Sequence, residues 1–131
     1  MAAAPQFDHY QQDARLSDAR PSETGLLDID HFRHMTGDDA DLQAEIANLF
    51  RAQAEIWARL LNVDAPIQTW TDAAHTLKGS ARGIGLWTLA DACEVAEAVG
   101  KADSYNRAAA AAALAEVRAA LVTALRALAA H

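Results

Sequence analysis

The chain has 131 residues, of which 52% are hydrophobic, 6% aromatic and 22% charged. This length suits one domain with its own core, and abundant alanine with few glycines and prolines favours packed helices over sheet. The formal net charge of -7 argues against a nucleic-acid partner, because neutralising phosphates requires clustered lysine and arginine. We expect neither a secretory signal nor a membrane span, because the first twenty residues lack an apolar run and no uncharged apolar stretch reaches eighteen residues. Cys93 is the only cysteine, which excludes an intramolecular disulfide and favours a cytoplasmic location.

The N-terminal part of the chain divides into a tail and a short helix. Residues 1–24 show no sustained hydrophobic period, so we predict a flexible tail there and a single helical domain over residues 25–131. Asp28 suits the N-cap of a short helix that stops at Thr36-Gly37. The apolar side of this helix comprises Ile29, Phe32 and Met35.

A second helix is predicted to begin at Asp38-Asp39, where negative charge is favourable near a helix N-terminus, and to run to about residue 62. A turn follows, with Asp64 as the cap and Pro66 in the first turn of a third helix. The apolar residues of the second helix recur every three to four positions and are Leu42, Ile46, Leu49, Ile56 and Leu60.

The third helix places a histidine on its polar side. At about 100° per residue, His75 lies roughly 160° from Leu77, so it faces solvent while Leu77 faces the core. Four further residues fall within about 60° of His75, and with it they form a predicted exposed strip: Thr71, Lys78, Gly79 and Arg82. The core stripe has spacings of three and four residues and comprises Ile67, Trp70, Ala74, Leu77, Ala81 and Ile84.

Two more helices complete the pattern. Gly83 and Gly85 are predicted to end the third helix, and a fourth runs to Gly100 with Cys93 on its buried stripe. Ser104 is the predicted N-cap of a last helix that ends near residue 129. Its apolar stripe comprises Leu114, Val117, Leu121, Leu125 and Leu128. We therefore predict an all-α, antiparallel four-helix bundle with a short extra N-terminal helix, and we expect a monomer.

The exposed strip has the residue types that phosphoryl transfer requires. Histidine is nucleophilic, is substantially neutral near pH 7 and can hold a phosphoryl group on a ring nitrogen. Gly79 costs about 1 kcal/mol relative to alanine inside a helix, so its presence indicates that a partner needs room beside His75. Lys78 can neutralise negative charge on a phosphoryl group, and Arg82 can assist from two turns along.

The run His75-Thr76-Leu77-Lys78-Gly79-Ser80, followed by Gly85 and Cys93-Glu94, resembles the histidine-containing phosphotransfer (HPt) domains of two-component phosphorelays. The resemblance is strongest over residues 70–101. It implies that His75 accepts a phosphoryl group, through Nε2, from an aspartyl phosphate on a response-regulator receiver domain and passes it to another receiver. It further implies charge balance by Lys78, steric access at Gly79 and a supporting role for Ser80.

The same resemblance places Glu97 and Lys101 on the neighbouring helix, close to the histidine. A carboxylate at Glu97 could orient a neutral imidazole, but it would repel a bound phosphoryl group, and both effects stay open. HPt domains perform no ATP chemistry, so the chain is expected to be a phosphoryl carrier and not a kinase. No cofactor or metal is expected in this chain, since the receiver holds the Mg²⁺ that assists transfer. Receivers, and a hybrid histidine kinase, are the expected partners.

Two alternatives belong to other functional classes. One is a helical module that binds receivers or kinases without carrying phosphate. The other is a carboxylate and histidine metal site, because Asp72 and His75 have i, i+3 spacing, as do Asp28 and His31. The metal site is disfavoured because His75 faces outward and no Glu-x-x-His sequence occurs.

Overall fold

The computed structural model describes residues 27–130, and within this range the chain forms five α-helices and no strand. Four long helices connected by short turns make an antiparallel bundle, and a short helix precedes them, which confirms the predicted all-α architecture. The predicted tail, residues 1–24, lies outside the described residues. The helices are α1 (Ile29–Thr36), α2 (Ala40–Leu60), α3 (Ile67–Ile84), α4 (Trp87–Lys101) and α5 (Arg107–Ala129).

Local sequence signals set the ends of the first three helices. The Asp28 side chain accepts a hydrogen bond from the His31 backbone N–H, and Asp39 caps α2 in the same way. Gly37 ends α1 and Gly85 ends α3, with φ values of 63° and 88° in the left-handed region that favours glycine. These boundaries agree with the sequence predictions.

Helix α1 is attached to the corner between α3 and α4. The Asp28 backbone N–H donates to the Gly85 carbonyl at 2.9 Å, and the Asp28 carboxylate accepts from Trp87 Nε1–H at 2.8 Å. His31 Nε2 lies 3.0 Å from the Gly83 carbonyl oxygen. Asp28 and His31 therefore have packing and capping roles at the bundle end.

Two predicted caps are wrong. Asp64 does not cap α3, which begins after Pro66 without a side-chain cap, because the Asp64 carboxylate pairs with the Arg107 guanidinium at the start of α5. This pairing lowers the pKa of Asp64. Helix α5 is capped by Asn106, whose side chain accepts from the Ala109 N–H, and not by Ser104.

The predicted core face of α2 is right only in part: Ile46 packs against the core as predicted, but later residues of the stripe face solvent. Leu49 and Ile56 are 56% and 53% exposed, and Leu60 is exposed as well. The buried side is centred on Phe50 and Ala54, which share a face because they are four residues apart. Ile67 and Met35 are likewise exposed, at the start of α3 and the end of α1.

The core lies between α3 and its neighbours. Helix α3 packs against α4 and α2, while α5 packs against α4 and α2 from the other side. Trp70 is buried, and its Nε1–H donates to the Ala96 carbonyl of α4 at 2.7 Å. By length and composition alone α5 could cross a membrane, and in this fold it contributes buried residues, among them Leu114 and Val117, to the bundle core. The bundle thereby holds α3 and α4 in fixed register.

Candidate functional site

His75 lies in the middle of α3 with its side chain 66% exposed. Its neighbours Ala74 and Leu77 are completely buried against the other helices. The helical period therefore turns the imidazole away from the core, as the sequence predicted.

Glu97 approaches His75 from α4. Its side chain is only 6% exposed, and Oε2 lies 2.9 Å from His75 Nδ1. The proximity of these two residues, which the family resemblance implied, is confirmed. An ionised carboxylate can only accept a hydrogen bond, so Nδ1 carries the proton and donates a hydrogen bond to Glu97. The other ring nitrogen, Nε2, is left with its lone pair and belongs to the exposed imidazole.

The charge state of Glu97 is set by its neighbours. Burial pushes the pKa of Glu97 upward, but its charged and hydrogen-bonding contacts with Lys78, Lys101 and His75 outweigh burial and lower this pKa to about 2. Glu97 is therefore ionised at neutral pH, which makes it a permanent acceptor for Nδ1–H.

Both lysines contact the same carboxylate. Lys78 Nζ lies 2.6 Å from Oε1 of Glu97, and Lys101 Nζ lies 2.9 Å from Oε2. We call His75, Lys78, Glu97 and Lys101 the Glu97 cluster. With neutral His75, the two ammonium groups and one carboxylate give the cluster one net positive charge.

Only some residues of the predicted exposed strip are in fact exposed. Gly79 is exposed, and a Cβ added there would meet no atom within 4 Å, so the surface one turn from His75 is open. Lys78 is largely buried, and its ammonium is directed to Glu97. Thr71 is buried and was wrongly predicted as exposed, because α4 approaches closely at Gly100. The Thr71 hydroxyl donates to the Ile67 carbonyl.

Arg82 and Ser80 lie outside the cluster. Arg82 Nη2 donates to Oε1 of Glu94 on α4 at 2.7 Å, and both side chains are exposed. Ser80 is half-buried five positions after His75, which is about 140° around the helix. The structure therefore brings His75, Lys78, Glu97 and Lys101 together and leaves these two residues apart from them.

The residues proposed for a metal site have other partners. The Asp72 carboxylate accepts from the Gln68 amide at 2.8 Å, and the carboxylate near His75 is Glu97. Across residues 27–130, no three His, Cys, Asp or Glu side chains are grouped to hold a metal ion. Cys93 is buried in the core as predicted, and burial raises the pKa of its thiol to about 12.

Reasoning from sequence missed two features of this site. The first is the ion pair between Lys78 and Glu97. The sequence offered only an indirect signal for it, namely that the only two lysines of the chain, at positions 78 and 101, lie on the two helices that carry His75 and Glu97. The second is Gly100, where an added Cβ would lie 2.8 Å from Trp70 Cδ1 and would collide with Thr71 Oγ1. A glycine near the end of α4 was visible in the sequence, but its neighbour on α3 was not.

Comparison with known families and proteins gives one match. The family model of the Hpt domain matches residues 40–131, which is more than two thirds of the chain. No curated protein and no solved structure matches the chain. Hpt domains act in phosphorelays by histidine phosphotransfer, interact with receivers and kinases, and are phosphoryl carriers without kinase activity. The matched range includes α2 to α5 and every residue of the Glu97 cluster, so the chain belongs to the Hpt domain family.

Proposed function

We propose that His75 accepts a phosphoryl group from the aspartyl phosphate of one response-regulator receiver and donates it to the aspartate of another. The observation that carries this proposal is the hydrogen bond between His75 Nδ1 and Glu97, which leaves Nε2 as the nucleophile on an exposed ring. The family supports histidine phosphotransfer in general, and the choice of residue and atom rests on this geometry.

The transfer step is a displacement at phosphorus. The Nε2 lone pair of His75 forms the new N–P bond, the P–O bond to the aspartyl carboxylate breaks, and that carboxylate leaves with the electron pair. Nδ1 keeps its proton, so the phosphorylated ring is cationic. Transfer to the second receiver is the reverse reaction, in which an aspartate oxygen attacks phosphorus and neutral His75 leaves.

This step supports a stabilising role for Glu97. The carboxylate lies against Nδ1, where the ring gains positive charge, while the phosphoryl group is attached to the opposite nitrogen. The attraction therefore acts over a shorter distance than the repulsion between Glu97 and the phosphoryl group, which offsets much of that repulsion. The sequence left open whether Glu97 mainly orients the imidazole or mainly repels the phosphoryl group. We propose that Glu97 mainly orients the imidazole and stabilises its positive charge.

The lysines supply charge balance. The Glu97 cluster has one net positive charge before transfer. A cationic ring that carries a dianionic phosphoryl group adds one negative charge, so the phosphorylated cluster is neutral. The positive charge that balances the phosphoryl group is therefore already present in the site before transfer.

The partner supplies the rest of the active site. Open space at Gly79 would admit the loops that surround a receiver's aspartate. The Mg²⁺ that assists transfer is proposed to be held by the receiver, and a hybrid histidine kinase is proposed as the upstream source of the phosphoryl group. The chain is proposed to act as a cytoplasmic monomer, in keeping with its free Cys93 thiol.

The test is labelling by a receiver that carries a radioactive aspartyl phosphate. His75→Gln should fold as the wild type does and take up no label, while the matched control His34→Gln, at an exposed histidine of α1, should be labelled normally. Undiminished labelling of His75→Gln would refute the proposal. Receiver binding by the wild type without any labelling would instead favour a non-catalytic binding module.

A further inference from the structure

Both lysines of this chain lie at the same site in the folded structure. Only two of the eleven basic residues are lysines, and both ammonium groups contact the Glu97 carboxylate. Arginine would hold a carboxylate through a planar, two-pronged arrangement, whereas lysine is a compact charge on a flexible stem. Lysine is therefore the better residue type where a cation has to change partners.

The two lysines are not equivalent, and Lys78 is the anchored one. Its side chain is 16% exposed, and its ammonium lies 2.6 Å from Oε1 of Glu97. Oε1 is buried and has no hydrogen-bond partner among the described residues, so the ion pair with Lys78 is what compensates its charge. If Lys78 moved away, a buried carboxylate oxygen would lose its compensating charge, which is strongly unfavourable.

Lys101 is held more weakly. Its side chain is 64% exposed, and it reaches Oε2 of Glu97 across one turn of α4. Exposed ion pairs of this kind contribute little free energy. Oε2 also accepts the hydrogen bond from His75 Nδ1, so this oxygen keeps a partner if Lys101 leaves.

The geometry points to a division of roles in which Lys101 leaves Glu97 on phosphorylation and pairs with the phosphoryl group on His75, while Lys78 remains on Glu97. This inference rests on the proposed function. Lys101 Nζ and His75 Nδ1 are both 2.9 Å from the same oxygen, so the ammonium lies within about 6 Å of this ring nitrogen, on an exposed and flexible side chain. Phosphorylation makes the ring cationic, which strengthens its bond to Oε2 and releases Lys101 to the more highly charged phosphoryl dianion.

The role of charge partner thereby passes from Lys78 to Lys101. Lys78 keeps Glu97 ionised and in place, so it is a positioning residue. Lys101 contacts the transferred group itself. An exposed ion pair to the phosphoryl group shifts the equilibrium between the aspartyl phosphate and the phosphohistidine toward His75, by about fivefold at most.

The experiment follows the two lysines by NMR. The chain is labelled with ¹³C,¹⁵N-lysine, which gives two side-chain signals, and is phosphorylated with phosphoramidate; ³¹P NMR reports the phosphohistidine. The Lys101 side-chain signal, assigned from its loss in Lys101→Met, should move on phosphorylation, and the Lys78 signal should stay. Neither signal should move in His75→Gln.

Transfer equilibria and stability provide a second readout. Lys101→Met should reduce the equilibrium constant for transfer from a receiver to His75 by up to about fivefold and leave the urea midpoint unchanged. Lys78→Met should lower that midpoint. The control Arg118→Met removes an exposed charge on α5 and should change neither quantity.

Three outcomes would overturn the inference. A phosphohistidine ³¹P signal with a stationary Lys101 signal, or with movement of Lys78 alone, refutes the exchange while the proposed function stands. An unchanged equilibrium in Lys101→Met does the same. Failure of wild-type His75 to be phosphorylated by phosphoramidate and by receivers removes the proposed function and this inference together.

Discussion

Gly79 is predicted to be a residue whose replacement stabilises the protein and impairs its function. Glycine inside a helix costs about 1 kcal/mol relative to alanine, and a Cβ at position 79 would meet no atom within 4 Å. Gly79→Ala should therefore raise the free energy of unfolding by up to about 1 kcal/mol. For a bundle of this size, that gain corresponds to a rise of about 4 °C in Tm.

A longer side chain at the same position separates access from stability. Gly79→Gln keeps most of the gain in helix propensity, but it fills the space one turn from His75 through which the receiver is proposed to approach. Displacing the reacting atoms by about 1 Å can reduce a rate by 100-fold, so we expect transfer to slow by 10- to 100-fold.

The matched control is Gly83→Gln. Gly83 is also in α3 and also has open surroundings, but it lies eight residues after His75, about 12 Å along the axis. Both variants should be followed by thermal unfolding with circular dichroism and by single-turnover transfer from a phosphorylated receiver. Equal transfer rates in Gly79→Gln and Gly83→Gln would refute the steric argument, and a lower Tm in Gly79→Ala would refute the stability argument.

Two further predictions concern the contact between α3 and α4. Gly100→Ala should lower the free energy of unfolding by about 1–3 kcal/mol, because the added methyl group collides with buried Thr71 and Trp70; a urea midpoint at or above that of the wild type would contradict the close packing. Glu97 has a pKa of about 2 in the folded chain against an ordinary value of 4.5, so the folded state binds fewer protons than the unfolded state. The stabilisation from this ionised group is therefore complete above about pH 4.5 and is lost as the pH falls toward 2. Urea unfolding between pH 5 and 2 should show a steeper loss in the wild type than in Glu97→Gln, and equal slopes would refute the assigned charge state.

Helix positions were predictable because their signals are local. Asp28, Asp39, Gly37 and Gly85 act on backbone groups within a few residues, and the helix ends at these residues were predicted from sequence alone. The caps at Asp64 and Ser104 were predicted wrongly because the choice depended on distant or competing partners. Arg107, 43 residues along the chain, takes the Asp64 carboxylate, and Asn106 provides the cap closer to α5.

The core face of α2 illustrates a different limit. Two apolar stripes are possible on this helix, one through Leu49 and Ile56 and the other through Phe50 and Ala54. Helical periodicity is satisfied by both stripes, so it cannot choose between them. In the folded bundle the second stripe is the buried one, with both Phe50 and Ala54 in the core.

The exposure of His75 was predictable from the sequence, because a helix with Leu77 in the core leaves His75 on the opposite side. The open surface at Gly79 was predictable for the same reason, because Gly79 lies on the face of α3 that carries His75. The residues around the imidazole, in contrast, depend on how the helices pack together. Glu97 is 22 positions from His75, and its contacts with both lysines depend on how α4 is packed and shifted along α3. Such register is set by the close approach of Thr71 to Gly100 and by the fit of the whole core, which no local pattern contains.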